Sequence, residues 1–431
     1  MGRSKKAGAG TSGYTAKKIQ GLEGSLDVVG ETDVLWDAML KRLAKISRIY
    51  GFSRAEFPFA EDVHLYENYY QTSQAALAGL VKLDAGKPAA LRPEFLPSVL
   101  RHYYQYKVFD QLPLSKWAFS GQTVKFDSSR KLLSDYEFGF EVFGAFTHLT
   151  EAQVISCVWH LLKSLELKDL SLEINNIGTE ECQAAYQDTL RDYLSSKKYE
   201  LCDACNENLS KRVLDVFRCG NLDCQALLAE APAILDFLDP ESQKHFTSIL
   251  EALDELGIPY QLNSLYAGPA GFSKTNLVIK YKHKGETVVL GEGGYHDDLI
   301  RGMCGKSYCC FGFSGSLLRA YELLEVGKVV VSRDRKSDVF LVPLGELASK
   351  KSLRLFRDLT EERIAVYDHF GQSGVKNQLK QAQSFNAPIA LIMGQKEAMD
   401  EMVILRDVKS GMQEIISYDK IVEEVKKRLG K

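Results

Sequence analysis

ETDVLWDAMLKRLAKISRIYGF, residues 31–52, repeats apolar side chains at helical spacing, with Leu35, Met39, Leu43 and Ile46 on one face. Thr32 or Asp33 is placed to cap this helix, and Gly51 to stop it. RAEFPFAE, residues 54–61, reads as an extended edge or interface segment because Pro58 cannot donate to a ladder. PAALRPEFLPSVLRHYYQYKV, residues 88–108, begins as a strand and turns into a helix. SKWAFSGQTVKFD and DYEFGFEVFG alternate apolar and polar residues and predict an antiparallel pair joined by a charged loop. AQVISCVWHLLKSL predicts a helix and LSLEINNIG a strand. Residues 180–255 read as mostly helical and carry four cysteines. TNLVIKYK and ETVVLGEGGY predict a hairpin, and YCCFGFSGSLLRAYELLE, residues 308–325, a strand running into a helix.

From residue 337 the pattern becomes regular alternation. SDVFLVPLG, RIAVYD, PIALIMG and EMVILRDV read as strands, with helices at ELASKKSLRLFRDL, VKNQLKQAQSF and YDKIVEEVKKRL. Such alternation predicts a mostly parallel α/β domain over residues 337–431. Its boundary falls near 326–336, after a core spanning 19–325 with a helical, cysteine-containing insertion at about 180–255. A chain of 431 residues is too long for one ordinary core, so two or three domains are expected.

Composition narrows the class. The chain is 45% hydrophobic and 26% charged, as in ordinary globular proteins. No apolar run approaches the ~18–20 residues of a membrane span. The start, MGRSKKAGAGTSGYTAKK, is basic and lacks the apolar centre of a secretory signal, so residues 1–18 read as a mobile basic tail. Nine cysteines without such a signal point to a reducing cytoplasm. The net charge of −3 gives no sign of DNA binding, and any RNA binding has to come from local basic patches.

LCDACNENLSKRVLDVFRCGNLDC places Cys202, Cys205, Cys219 and Cys224 in the pattern C-x2-C, thirteen residues, C-x4-C. That resembles a four-cysteine zinc ribbon or knuckle. The alternative is a set of reduced structural thiols. Cys309 and Cys310 read as core residues.

Five segments, in order, resemble the histidyl-tRNA synthetase family of class II aminoacyl-tRNA synthetases. They are ALRPEFLPSV at 90–99, LSKWAFSGQTVKFD…SDYEFGFEVFG, GGYHDDLI at 293–300, FGFSGSLLRAYELLE, and FGQSGVKNQLKQAQSFNAPIALIMGQKE at 370–397. The resemblance implies a fold of six or seven antiparallel strands flanked by helices, followed by an α/β anticodon-binding domain. It also implies a homodimer, with the segment around Pro58 at the interface. The implied reaction is ATP-dependent, with Mg2+. The carboxylate of histidine attacks the α-phosphate, pyrophosphate leaves, and the adenylate passes histidine to tRNA, with tRNA-His as the expected acceptor.

The resemblance also assigns roles. Lys125 falls where an arginine clamps the α-phosphate, and Asp127 where a glutamate meets the adenine end. Arg319 matches the ATP-binding arginine of the third motif. Glu94 matches a carboxylate for the substrate's amino group, and Arg92 is structural within its turn. Glu141 matches an acidic position that reads the imidazole, Glu137 stands in place of a glutamine, and His296 in place of a histidine-contacting tyrosine. The family's RGLDYYTGTVFE segment reads AGPAGFSKTNLV here, so Ala267 replaces an arginine. Lysine lacks the planar fork of arginine, so Lys274 or Arg130 is expected to share the load at Lys125. On the anticodon-binding domain, Lys376, Gln378 and Lys380, after a loop at Gly371, are expected to meet tRNA from one helix face. A catalytically weak paralog acting as a tRNA-binding or regulatory subunit, and an accessory subunit of a polymerase, remain the alternative readings.

Overall fold

The computed structural model describes residues 27–29, 31–70, 74–211, 213–269, 271–324, 337–368 and 374–431. The expected tail, the linker 326–336 and the Gly371 loop lie outside these residues. Two compact units divide the chain near Val329/Val330.

The strands of the first unit are β1 (Ser53–Arg54), β2 (Ala60–Asp62), β3 (Lys82–Ala85), β4 (Lys87–Leu91), β5 (Leu114–Phe126), β6 (Leu132–Gly144), β7 (Leu170–Asn176), β8 (Tyr260–Leu262), β9 (Ser273–His283), β10 (Glu286–Tyr295) and β11 (Cys310–Ser316). Its helices are α1 (Glu31–Ile49), α2 (Val63–Tyr70), α3 (Gln74–Ala78), α4 (Leu96–Gln105), α5 (His148–Ser164), α6 (Glu180–Ser196), α7 (Asp203–Lys211), α8 (Leu222–Ala229), α9 (Pro240–Glu255), α10 (Asp297–Cys304) and α11 (Leu317–Leu323). Eight strands form one sheet in the order β1-β5-β6-β11-β10-β9-β7-β8. The sheet is mixed rather than wholly antiparallel, because the two short edge strands, β1 and β8, pair parallel to β5 and β7. Neither edge strand is long enough to announce itself by alternation.

Pro58 belongs to no strand. It lies between β1 and β2, and the carbonyls of Phe57 and Pro58 accept hydrogen bonds from Arg92. A third bond runs from Arg92 to the Gln122 carbonyl, so this buried guanidinium ties the Phe57–Pro58 segment to β5. β2 joins β4 and β3 in a separate three-stranded sheet.

The helical stripe of α1 is buried at Leu35, Met39, Leu43 and Ile46, and Gly51 follows in the left-handed region. Asp33 sits in the first turn of this helix, which begins at Glu31, and so is not its cap. Strands β5 and β6 pair without a break from Leu114↔Gly144 to Phe126↔Leu132. On β6, Phe138, Phe140 and Val142 are fully buried under α5 and α11, while Glu137, Gly139 and Glu141 take the opposite face.

The second unit contains β12 (Val339–Pro343), α12 (Glu346–Glu361), β13 (Val366–Asp368), α13 (Val375–Ser384), β14 (Ile389–Met393), α14 (Gln395–Met399), β15 (Met402–Asp407), β16 (Gln413–Ser417) and α15 (Tyr418–Leu429). Its five strands order as β13-β12-β14-β15-β16. β13, β12 and β14 are parallel, but β15 and β16 join antiparallel, so only half of the sheet has the expected parallel pairing. β16 escaped the sequence pattern because Gln413, Glu414 and Ile415 are all exposed, leaving no buried face to read.

Candidate active site

The polar face of the large sheet floors a cavity of about 520 Å³. Glu137 and Glu141 reach it from β6, Thr123 and Lys125 from β5, Ser314 from β11 and Glu292 from β10. The pairings Thr123↔Asp135, Glu141↔Gly312 and Glu292↔Ser314 put these side chains on one face. Glu94, after β4, and Arg319, in α11, complete the wall. Gly312 is required here. A Cβ on it would lie 2.1 Å from the Glu141 carboxylate, so glycine lets that carboxylate lie flat over β11.

Lys125 and Arg319 are the cations among the lining residues, against Glu94, Asp135, Glu137, Glu141 and Glu292. Glu94 accepts hydrogen bonds from the hydroxyls of Tyr70 (2.5 Å) and Tyr69 (3.4 Å). Burial raises its carboxyl pKa, while the Tyr70 bond and the charge of Lys125 oppose that shift. Glu137 is buried and accepts from the Phe95 amide at 3.2 Å. Burial, with the charge of Glu94, pushes its pKa up to about 8, so it holds a proton at neutral pH.

Glu141 is 2% exposed, and its Oε2 lies 2.9 Å from Nε2 of fully buried His296. Burial works against charge on the imidazole, but the Glu141 carboxylate outweighs it and the His296 pKa is raised. His296 Nδ1 lies 3.2 Å from the Gly294 carbonyl, and the Phe272 ring sits 5.3 Å from the imidazole. Arg319 donates to the Val289 carbonyl at 2.9 Å, which fixes its guanidinium at the cavity rim.

Several expected residues stand elsewhere. Asp127 is not in the wall. Its Oδ1 accepts from the amides of Ser129 and Lys131 and from the Ser129 hydroxyl, closing the β5–β6 turn. That local capping turns the carboxylate away from any adenine. His296 lies behind Glu141 instead of lining the cavity, and so contacts the site through that carboxylate. Neither helper expected for Lys125 reaches it. Lys274 is paired with Asp297 at 2.9 Å and rests on the Tyr295 ring, and Arg130 donates to the Ala78 carbonyl and covers the Phe126 ring. From the segment holding Ala267, the wall receives Pro269 and Phe272 but no cation. In the second unit Lys376 and Lys380 are exposed on α13, but Gln378 is 1% exposed and donates to the Pro343 carbonyl. Its side chain packs the helix onto the sheet and is unavailable to RNA.

Sequence reasoning missed Tyr69, Asp135, Glu292 and Ser314 in the wall, and Tyr70, which donates to Glu94. The tyrosines belong to α2, a short helix with no strong apolar period. Asp135 sits at the cavity because its Oδ1 accepts from the Ser316 hydroxyl at 2.5 Å, 181 residues away.

Comparison with known proteins agrees with this fold. A family model described as an anticodon binding domain matches residues 338–428. The chain is 29% identical over 416 residues to the histidine–tRNA ligase of Dehalococcoides mccartyi, covering 95% of this chain and all of that one. It is 27% identical to that of Halothermothrix orenii, covering 95% and 99%. Among solved structures, apo histidyl-tRNA synthetase of Staphylococcus aureus superposes with a TM-score of 0.78 at 25% identity, covering 95% of this chain and all of that one. A protein of Bacillus halodurans described as an ATP phosphoribosyltransferase regulatory subunit/histidyl-tRNA synthetase shares the fold, with a TM-score of 0.62 at 17% identity, covering 88% and 99%. A mixed sheet carrying a polar cavity, flanked by helices, together with an anticodon-binding domain, defines a class II aminoacyl-tRNA synthetase fold. Over nearly its whole length the chain is similar to histidyl-tRNA synthetases, in sequence and in fold.

Proposed function

We propose that this protein is a histidine–tRNA ligase with an altered reacting centre, using ATP and Mg2+ to activate histidine and then charging tRNA-His. The observation that carries the reading is the gathering of Glu94, Glu137, Glu141, Lys125 and Arg319 around one cavity from four separate chain segments.

In this reading Glu94 holds the substrate's ammonium group, oriented by the hydroxyls of Tyr69 and Tyr70. Protonated Glu137 does the work of the family's glutamine, because a neutral carboxyl matches an amide in shape and offers one donor and one acceptor. Glu141 reads the imidazole, with its other side held by His296. As the histidine carboxylate attacks, negative charge grows on the α-phosphate oxygens, and Lys125 meets it as a point charge without bidentate geometry. Arg319, fixed by the Val289 carbonyl, takes the nucleotide. The hard oxygen donors of Asp135 and Glu292 in the same wall suit Mg2+, which would neutralise phosphate charge when bound.

Loss of one well-placed donor in a comparable site costs about 10²–10³-fold in rate, so turnover is expected to be low. Lys376 and Lys380 would meet the tRNA backbone. The working unit is a homodimer in the cytoplasm, with the Phe57–Pro58 segment at the subunit contact. No helix among the described residues is long and apolar enough to cross a membrane.

Amino-acid-dependent ATP–pyrophosphate exchange tests the reading. Exchange with histidine supports it. Exchange with another amino acid would reassign the substrate. Absence of exchange from folded, dimeric protein would leave a tRNA-binding paralog.

A further inference from the structure

α6, α7 and α8, which supply no residue to the cavity lining, form an insert with its own core, built on residues that include Tyr186, Leu190, Val213, Val216 and Leu228. Cys202 precedes α7, Cys205 lies in its first turn, Cys219 follows a 3-10 turn, and Cys224 lies in the first turn of α8. The four Sγ atoms converge, all within 4.8 Å of one another. Cys202 Sγ and Cys219 Sγ are 3.7 Å apart, and all four cysteines are free. We infer that these four thiolates bind one zinc ion that holds the insert together.

Tetrahedral zinc with Zn–S bonds of about 2.3 Å requires sulfurs about 3.8 Å apart. The Cys202–Cys219 spacing matches that requirement. Two sulfurs joined as a disulfide would stand about 2.05 Å apart. Sulfurs bound to separate irons of a cluster would be spread more widely than these, so the site is mononuclear. An all-sulfur donor set selects a soft or borderline ion such as zinc over Mg2+ or Ca2+.

Backbone donors already serve the sulfurs. The Cys202 amide reaches Cys224 Sγ at 3.3 Å, and the Asn221 amide reaches Cys219 Sγ at 3.4 Å. Packing alone has no need of such bonds, whereas thiolate ligands are oriented and stabilised by them. Cys205 and Cys224 are buried, while Cys202 and Cys219 are half-buried, which leaves an entry path for the ion. Binding converts four thiols to four thiolates and releases four protons. The zinc remains divalent and no electron moves. The binding free energy of the metal would add to that of the insert's own apolar core.

The test is metal analysis of the full-length chain, purified under reducing conditions without a chelator or a metal-affinity column. One zinc per chain is expected, falling to background in the Cys202→Ser/Cys219→Ser variant. Should that variant fail to fold, cobalt(II) reconstitution of the wild type decides the matter. Tetrathiolate cobalt gives intense visible bands and sulfur-to-metal charge transfer. Zinc removal should also expose residues 201–224 to proteolysis while the rest of the chain stays resistant. Wild type that takes up neither zinc nor cobalt after reductive reconstitution would overturn the inference. So would iron in place of zinc, or full zinc occupancy in the double variant.

Discussion

His296 Nε2 lies 2.9 Å from Glu141 Oε2, and both side chains are buried. The imidazole belongs to the protein, yet it stands against the carboxylate expected to read a substrate's imidazole. Removing one partner would leave a buried charge or polar group unmatched, at a cost of about 3–5 kcal/mol. His296→Gln should therefore lower the melting temperature sharply. His296→Tyr restores the family's residue and frees Glu141, so it should lower the KM for histidine in pyrophosphate exchange. An unchanged or higher KM would count against the role given to Glu141.

The same pair gives a pH dependence. The His296 pKa is raised above its ordinary 6.5, so the native state holds this proton more tightly than the unfolded chain. Its stabilisation is complete below 6.5 and is lost as pH rises through the native value. The melting temperature should fall with rising pH in that range. A Glu141→Gln/His296→Gln double variant should lack this component.

Glu137 contributes in the same direction over a different window. Its pKa rises from 4.5 to about 8 on folding. Between those values the native state keeps a proton that the unfolded chain has released, so stability falls by at most about 1.4 kcal/mol per pH unit. Glu137→Gln should remove that slope and raise the melting temperature above neutrality. It should also keep most of the exchange activity and flatten the loss expected above pH 8. A variant with no activity would show that the carboxyl does more than mimic glutamine.

Lys125 is exposed on the strand, with its charge close enough to affect Glu94. Lys125→Ala should cut pyrophosphate exchange by about 10²–10³-fold without unfolding the protein. Lys125→Arg should raise it, because the fork can meet two phosphate oxygens. Arg130 and Lys274 are engaged elsewhere, so alanine at Arg130 should leave kcat nearly unchanged.

On the second unit, Lys376→Ala and Lys380→Ala should each weaken tRNA binding and reduce its salt dependence by about one ion. Exchange without tRNA should not change. Gln378→Ala should instead cost about 1–3 kcal/mol of stability, since the Pro343 carbonyl loses its buried donor. Filter binding across a salt series, with melting curves, separates the two effects.

Long, strongly periodic elements were fixed by the chain itself. The α1 stripe, the β5–β6 pair, the β9–β10 hairpin and the α/β alternation after residue 337 all follow from local spacing. So did the cysteine pattern and the motif positions of Glu94, Lys125, Glu137, Glu141 and Arg319. Tertiary structure decided what spacing does not encode. Short edge strands β1 and β8 pair parallel because of their neighbours, and β16 exists by pairing rather than by burial. Side-chain direction was also decided at long range or by local turns. Asp127 turned into its own loop, Gln378 into the core, and Lys274 toward Asp297, while His296 found Glu141 across 155 residues. A sequence position gives a side chain its chemistry. The partner that claims its charge or hydrogen bond is chosen only when distant segments are packed together.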